Sequence, residues 1–525
     1  MRYYVEWSMT MKRNGMWVAA LLLLCTMILG GCGKANTAQE KTFSYGTMAY
    51  GTAMENVGTN PHEAYTGWST LRYGIGETLF RFDDRMEPMP WLAARYEQVD
   101  DNTVRIFIRD DVTFSNGRKV TGEAVKACLE DLVEKHDRAP KDLKMDRIEA
   151  EDQTVTIHCL EKVPALRNYL ADPYACIIDM EAGEHDRIVV GTGPYVAERV
   201  TDTELDLVKN RNYWGGTKPK LDRIVVKSIT DGDTLTMALQ NGEIDAAQGL
   251  PYASLPLFRN APEKFKMSQA ETSRTYQAAF NFKTPALQDV RVRRAICMAV
   301  DKENFSKVLL HGNGVPAVGP FPGNLAYGDA AVKAPKYDLV GARTLLREAG
   351  YEDTDGDGYV EKDGKPLELR YLTYTSRQEL PLLAEMLQAS LKEIGVKLTV
   401  NATDNYRTFL KNGAFDIFSN AIVTAPTGDP EYYLSGHVLA GAVENKGGYE
   451  NGRLSALAEQ LHNTFGAADR AALAIQMEQQ ILDDCAILYA AHLRMTFVVK
   501  TGVMGFTAHP SDYYEITSEL DKANE

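Results

Sequence analysis

Between Leu383 and Val400 the apolar residues change period. Leu383, Met386, Leu387, Leu391 and Ile394 recur every three or four residues, which puts them on one face of a helix. Gly395 follows, and Val396, Leu398 and Val400 then alternate as in a half-buried strand. A helix that stops on a glycine and passes straight into a strand is the unit of α/β crossover folds. Such folds carry mixed sheets with a binding crevice. The first half of the chain has the same alternation of periods. Thr103-Val104-Arg105-Ile106-Phe107-Ile108-Arg109 has the period of a strand. Thr121 is placed to cap a helix with Val125, Cys128, Leu129, Leu132 and Val133 on one face, and Val155, Ile157 and Cys159 alternate again. At 525 residues the chain exceeds what one core can hold, so two or three domains are expected. No internal repeat is present.

The N-terminus fixes location. Lys12 and Arg13 precede an apolar run from Met16 to Leu29 that ends Leu29-Gly30-Gly31-Cys32. A spanning helix needs about 20 apolar residues. This run is shorter and has the basic start, apolar middle and small-residue end of a secretory signal. Its end resembles a bacterial lipobox, in which cleavage precedes the cysteine and a diacylglycerol joins its sulfur; an ordinary signal cut nearby is the alternative. The residues before Met11 include Glu6 and read as an over-extended start. The expectation is a signal over 1–31, lipidation at Cys32, and a small, polar tether over 32–42.

Charge and cysteine usage narrow the classes. The net charge is −15, and removing everything before Cys32 takes away three basic residues and one acid, leaving −17. Nucleic acid and anionic membrane surfaces are poor partners for such a chain. Beyond Cys25 and Cys32, the cysteines are Cys128, Cys159, Cys176, Cys297 and Cys485. They are far apart and odd in number, so buried free thiols are expected in place of a disulfide framework. HExxH, GxxxxGK[ST] and GxSxG are absent, and no pair among the nine histidines has metal-ligand spacing on a helix. Asp353-Thr354-Asp355-Gly356-Asp357-Gly358 begins like a calcium loop, but its twelfth position is Gly364 where calcium needs a bidentate Glu. A polar turn is the preferred reading and a weak calcium site the other.

Several stretches, in order, cover nearly the whole mature chain: Glu77-Thr78-Leu79-Phe80-Arg81-Phe82-Asp83, Met89-Pro90-Trp91-Leu92-Ala93, Arg109 to Gly117, Gly191-Thr192-Gly193-Pro194-Tyr195, Asn212-Tyr213-Trp214-Gly215-Gly216, Asp289 to Ala295 leading into Val300-Asp301-Lys302, and Lys362 to Leu367. Together they resemble the extracellular solute-binding proteins of bacterial ABC importers, in the family that binds peptides and nickel complexes (family 5). The resemblance implies an α/β, two-lobed periplasmic-binding-protein type II fold with an extra domain inserted in the first lobe. The implied first lobe takes 43–84, 191–275 and 495–525, the inserted domain 85–190, and the second lobe 276–494. Ligand sits between the lobes, and hinge closure around it signals to the transporter. Gly191 and Gly193 are read as a tight turn ended by Pro194, and Tyr213 and Trp214 as core.

The ligand residues are carried over position by position. Peptide binders of this family place a Trp and, three residues later, an Asp for the peptide ammonium; here those positions are Val423 and Pro426. Ala425-Pro426 is similar to the nickel-binding branch, although its Trp is missing and a Gly precedes Asp429, which is either a ligand residue or a helix cap. Asn60-Pro61-His62 also resembles that branch, which makes Tyr65 or Trp68 the cleft aromatic and His62 either a metal ligand or an exposed structural histidine. The branch clamps chelator carboxylates with arginines. The corresponding segment, Asp172-Pro173-Tyr174, has none, so Tyr174, Arg138 and, from the second lobe, Arg377 are the candidates, the arginines alternatively being surface residues.

The expected function is that of a lipid-anchored receptor, monomeric and without catalytic residues or cofactor. It would capture a metal chelate such as a nickel complex, or a short peptide, and pass it to ABC permease subunits at the outer face of the cytoplasmic membrane or in the periplasm. A sensory or chaperone-like lipoprotein on the same fold is the alternative. An extracellular hydrolase ranks below both, since no nucleophile–base signature is present.

Overall fold

The computed structural model describes residues 40–50 and 58–523. Cys32, the signal and most of the tether lie outside the described residues. Thr42–Glu525 is one compact unit, and no described helix is long and apolar enough to cross a membrane.

The helix expected from the Leu383 periodicity runs Glu379–Glu393, with Leu383, Leu387 and Leu391 fully buried. Each such leucine contributes about 1.5–3 kcal/mol by leaving water. Gly395 has φ +78°, and a Cβ there would meet Val360 Cγ1 at 2.8 Å, so a larger residue would both strain the turn and collide. The helix is the crossover between strands Glu368–Thr373 and Lys397–Ala402, which pair in parallel.

Those strands belong to an eleven-stranded mixed sheet. One wing has the order Tyr195–Val200, Glu204–Lys209, Arg223–Ser228, Thr42–Thr47, Ala246–Gln248; the other has Ile417–Val423, Glu368–Thr373, Lys397–Ala402. Between them lie Ile487–Lys500 and Phe265–Phe280, the two longest strands, paired antiparallel and common to both wings. The molecule is thus two α/β lobes joined through two shared strands. Phe43, Tyr45, Phe497 and Phe506 form part of one lobe's core, and Leu383, Leu387, Ile417 and Leu488 part of the other's.

A separate antiparallel sheet has the order Ala93–Asp100, Thr103–Ile108, Thr154–Cys159, Met145–Glu151. Helix Gly122–Lys135 packs on it, and the Thr121 side chain accepts from the Ala124 N–H at 3.3 Å, the expected cap. Val155, Ile157 and Cys159 face inward with the predicted alternation.

One expectation changes. Gly191 and Gly193 have ordinary φ values. They are required because a Cβ on either would lie 2.2 Å from the carbonyl oxygens of Ile75 and Gly74, respectively. The need is close backbone approach, not turn conformation. In the Asp-rich loop, Asp353 accepts from the N–H groups of Gly356 and Gly358 and Glu361 from that of Thr354, closing a polar turn. The carboxylates of Asp353, Asp355 and Glu361 lie within 4.8 Å of one another, with Glu361 at the ninth position of the loop. All five described cysteines are buried and unbridged.

Candidate ligand cleft

The shared strands break register where the lobes meet. Glu271 pairs with Arg494, but the next pair is Thr275 with His492, so two extra residues bulge from the Phe265–Phe280 strand. The Thr272 hydroxyl donates to the Leu493 carbonyl at 3.0 Å, and the Ser273 carbonyl accepts from the Thr424 N–H at 2.8 Å and its hydroxyl at 3.0 Å. Arg274 leaves this bulge opposite Val423 in register. Trp68, Thr272, Ser273, Arg274, Val423, Pro426, Asp512 and Tyr513 line a cavity of about 20 Å³ there, room for about one water.

The charges around that cavity are unbalanced. Arg274 makes no side-chain ion pair among the described residues, and burial together with the neighbouring Arg377 guanidinium lowers its pKa. Asp512 and Glu379 act on it in the opposite sense. Asp512 belongs first to Arg72, whose Nη2 donates to its Oδ2 at 2.7 Å and whose Nε donates to its backbone carbonyl at 3.1 Å. Arg72 Nε also lies 3.4 Å from Glu515 Oε1. Asp512 Oδ1 and Glu515 Oε2 find no donor, and the two carboxyls lie close enough to act on each other. Burial raises both, Glu515 to about 8. Arg72, Arg274 and Arg377 thus share this region with the carboxyls of Asp512, Glu515 and Glu379, and of the three guanidiniums only Arg72 is in ion-pair contact among the described residues.

Of the residues singled out from sequence, Trp68, Val423 and Pro426 come together on this cavity. The Pro426 carbonyl accepts from the Tyr513 hydroxyl at 2.8 Å, and the Trp68 ring lies 6.3 Å from that of Tyr513. Tyr65 is exposed beside Trp68, at 6.1 Å between centroids. Arg377 is exposed near Arg274.

The others are engaged elsewhere. His62 is buried, not exposed. Its Nδ1 lies 2.7 Å from Asp131 Oδ2 and its Nε2 3.6 Å from Cys128 Sγ, and burial lowers its pKa. Both ring nitrogens are thus occupied by protein groups. Arg138 donates to Asp172 at 2.9 Å and Asp142 at 3.2 Å and lies over the Tyr174 ring at 5.2 Å. Tyr174 is buried and donates to Asp142 at 3.3 Å. Asp429 is buried in a two-pronged pair with Arg470, at 2.7 and 3.0 Å, and accepts from the Glu431 N–H at 3.0 Å. Arg274, Arg72 and Asp512 did not emerge from sequence reading. The one signal was the polar run Thr272-Ser273-Arg274 within a strand.

A larger cavity, about 350 Å³, is bordered by Glu77, Arg81, Trp91, Tyr213 and Tyr514. Its buried acid is fully satisfied: Glu77 accepts from Trp91 and Trp214 Nε1, the Tyr213 hydroxyl and the Thr192 hydroxyl, at 2.8–3.0 Å. Arg81 stacks on Trp91 and Tyr514. The hinge cavity is smaller, but of the two it is the one that lies at the strand crossing, where Arg274 leaves the bulge.

Residues 87–444 match the family described as bacterial extracellular solute-binding proteins, family 5 Middle. The chain is 26% identical to the nickel-binding protein NikA of Staphylococcus aureus, over 95% of this chain and 97% of that one. It is 30% identical to the glutathione-binding protein GsiB of Salmonella typhimurium, over 65% and 67%. Among solved structures, it is similar to the nickel ABC transporter crystal structure from Bacillus halodurans, with TM-score 0.80 and 30% identity, covering 92% of this chain and all of that one.

Proposed function

The chain belongs to the bacterial extracellular solute-binding proteins of family 5, and from that premise we propose that it captures a small carboxylate-bearing solute between its lobes for an ABC importer. A metal–amino acid chelate, with nickel as cargo, is the preferred class. The observation that carries this is Arg274, a guanidinium on the hinge cavity with the like-charged Arg377 as a neighbour and no carboxylate in ion-pair contact among the described residues. A guanidinium fork suits a carboxylate, and a ligand carboxylate there would relieve the repulsion between the two. Trp68 offers an apolar face beside them. A peptide ammonium, by contrast, finds neither family position free: Pro426 has no side-chain acceptor, Asp429 is committed to Arg470, and the carboxyl that does line the cavity, Asp512, already pairs with Arg72. A cavity of about 20 Å³ admits no chelate, so loading requires the lobes to separate about the shared strands. In this reading the lobes are 43–84, 191–275 and 495–525 against 276–494, with 85–190 inserted.

Calorimetry comparing nickel plus histidine with a mixture of unmodified di- and tripeptides tests the ligand class. The expected result is metal-dependent binding weakened by Arg377→Gln. Tight peptide binding that survives that change overturns it. The lipid anchor at Cys32 and delivery to a permease belong to the same proposal. Cys32→Ser is expected to release folded protein from the membrane fraction, and retention there would refute the anchor.

A further inference from the structure

The larger cavity carries a charge of its own. Arg81 is the middle residue of strand Phe80–Phe82, which pairs with Pro88–Pro90. Strand alternation buries Phe80 and Phe82 and turns Arg81 to the opposite face. There its guanidinium carbon lies over the Trp91 ring, 5.0 Å from the centroid, and over the Tyr514 ring at 4.2 Å. Both rings are anchored. Trp91 Nε1 donates to Glu77 Oε1 at 3.0 Å, and the Tyr514 hydroxyl accepts from the Phe82 N–H at 3.0 Å. The guanidinium is therefore held by its faces. Arg81 borders the cavity, and its N–H groups make no ion pair or hydrogen bond among the described residues.

The acids around it are engaged or in water. Trp91 and Tyr213 donate to Glu77 Oε1, and Thr192 and Trp214 to Oε2, two donors for each oxygen. A carboxylate so filled has no acceptor left for a ligand. Asp83 Oδ1 accepts from the Arg85 and Glu87 N–H groups at 2.8 and 2.9 Å, and Asp84 lies 3.8 Å from His509 Nε2. Glu519, on the cavity wall, is exposed. Leu71, Pro194 and Ile516 add apolar surface to the wall.

We propose that this cavity is a second binding site, separate from the hinge, for a small aromatic carboxylate. The charge selects the anion: Arg81 offers unused donors in a planar fork, whereas Glu77 offers a cation nothing. The stacking selects the ring. A carboxylate paired with the guanidinium edge lies in the guanidinium plane, and an aromatic ring conjugated to it shares that plane. The ligand then extends the slot between Trp91 and Tyr514 toward the apolar wall. The volume of about 350 Å³ is at the small end of the range for small-molecule sites. No residue borders both this cavity and the hinge cavity, and none of 276–494 borders this one. Binding here therefore does not wait for the lobes to meet.

Calorimetry on the purified full chain at neutral pH, with benzoate as the probe, tests this. Saturable binding to one site is expected at millimolar concentration or below. Benzamide, which lacks the charge, and acetate, which lacks the ring, should each bind about tenfold more weakly or worse. That discrimination needs no variant and does not depend on what the hinge binds. Arg81→Gln should weaken benzoate by about tenfold or more, and Arg81→Lys, which keeps the charge without the fork, by less. Arg274→Gln and added nickel plus histidine should leave benzoate affinity unchanged. A shift with either would place the probe at the hinge and overturn the proposal. So would absence of saturable benzoate binding, equal binding of benzamide, or an unmoved affinity in Arg81→Gln.

Discussion

Arg470 and Arg274 are both largely removed from water, but they serve opposite ends. Arg470 meets Asp429 twice and Glu431 once, at 2.7–3.0 Å, and also donates to the Leu461 and Thr464 carbonyls. Arg274 has a second guanidinium for a neighbour and no ion pair among the described residues. A buried charge with its partners built in holds structure, and removing one side strands the other. A charge kept from water without a partner costs stability, and an unpaired guanidinium beside the hinge suits a partner that comes and goes.

The largest effect should come from the satisfied cluster. Arg470→Ala leaves Asp429 buried without its counter-ion, and stability should fall by about 3–5 kcal/mol in denaturant unfolding. If the variant unfolds like the parent, the contrast between the clusters collapses. At the hinge the balance reverses. Arg274→Gln should weaken binding of nickel plus histidine by about 2–5 kcal/mol in calorimetry, with stability unchanged or raised because a like-charge contact is gone. A loss of stability without a loss of affinity would make Arg274 a structural residue.

Much of the fold was legible because it rests on local periodicity. Helix Glu379–Glu393, Gly395 and the strand after it follow from side chains a few residues apart, as does the cap at Thr121. The cleft was legible only in part. Trp68, Val423 and Pro426 were found because short motifs carry them, whereas Arg274 and Asp512 meet through strand register and the fold of the C-terminal segment, which no local pattern reports. An arginine in a strand reads as solvent-facing unless a bulge redirects it, and a two-residue bulge leaves no periodic signature. His62, Arg138 and Asp429 looked available because their partners Asp131, Asp172 and Arg470 are distant in sequence.

The smallest effect sharpens the comparison from the acidic side. Burial raises the Glu515 carboxyl to about 8, far above its value in the unfolded chain. Between those values the folded protein binds the extra proton. Stability from this group is complete at acidic pH and declines as pH rises toward 8, by at most about 1.4 kcal/mol per pH unit. Melting temperatures across pH 5–8 should fall less steeply in Glu515→Gln than in the parent. Parallel curves would mean that the Asp512–Glu515 pair does not hold the proton.

The shared strands also set a timetable. Ile487–Lys500 lies at the middle of the great sheet, between Ala246–Gln248 and Phe265–Phe280, yet it is the last long strand to be synthesised. Until it arrives, both neighbours present open edges, and neither wing can complete its core: Phe497 belongs to one and Leu488 to the other. Assembly must therefore wait for almost the whole chain, with contacts of very long sequence separation closing last, a topology that folds slowly and exposes strand edges to other chains meanwhile. A truncation before residue 487 would thus leave two unfinished halves and not one finished lobe.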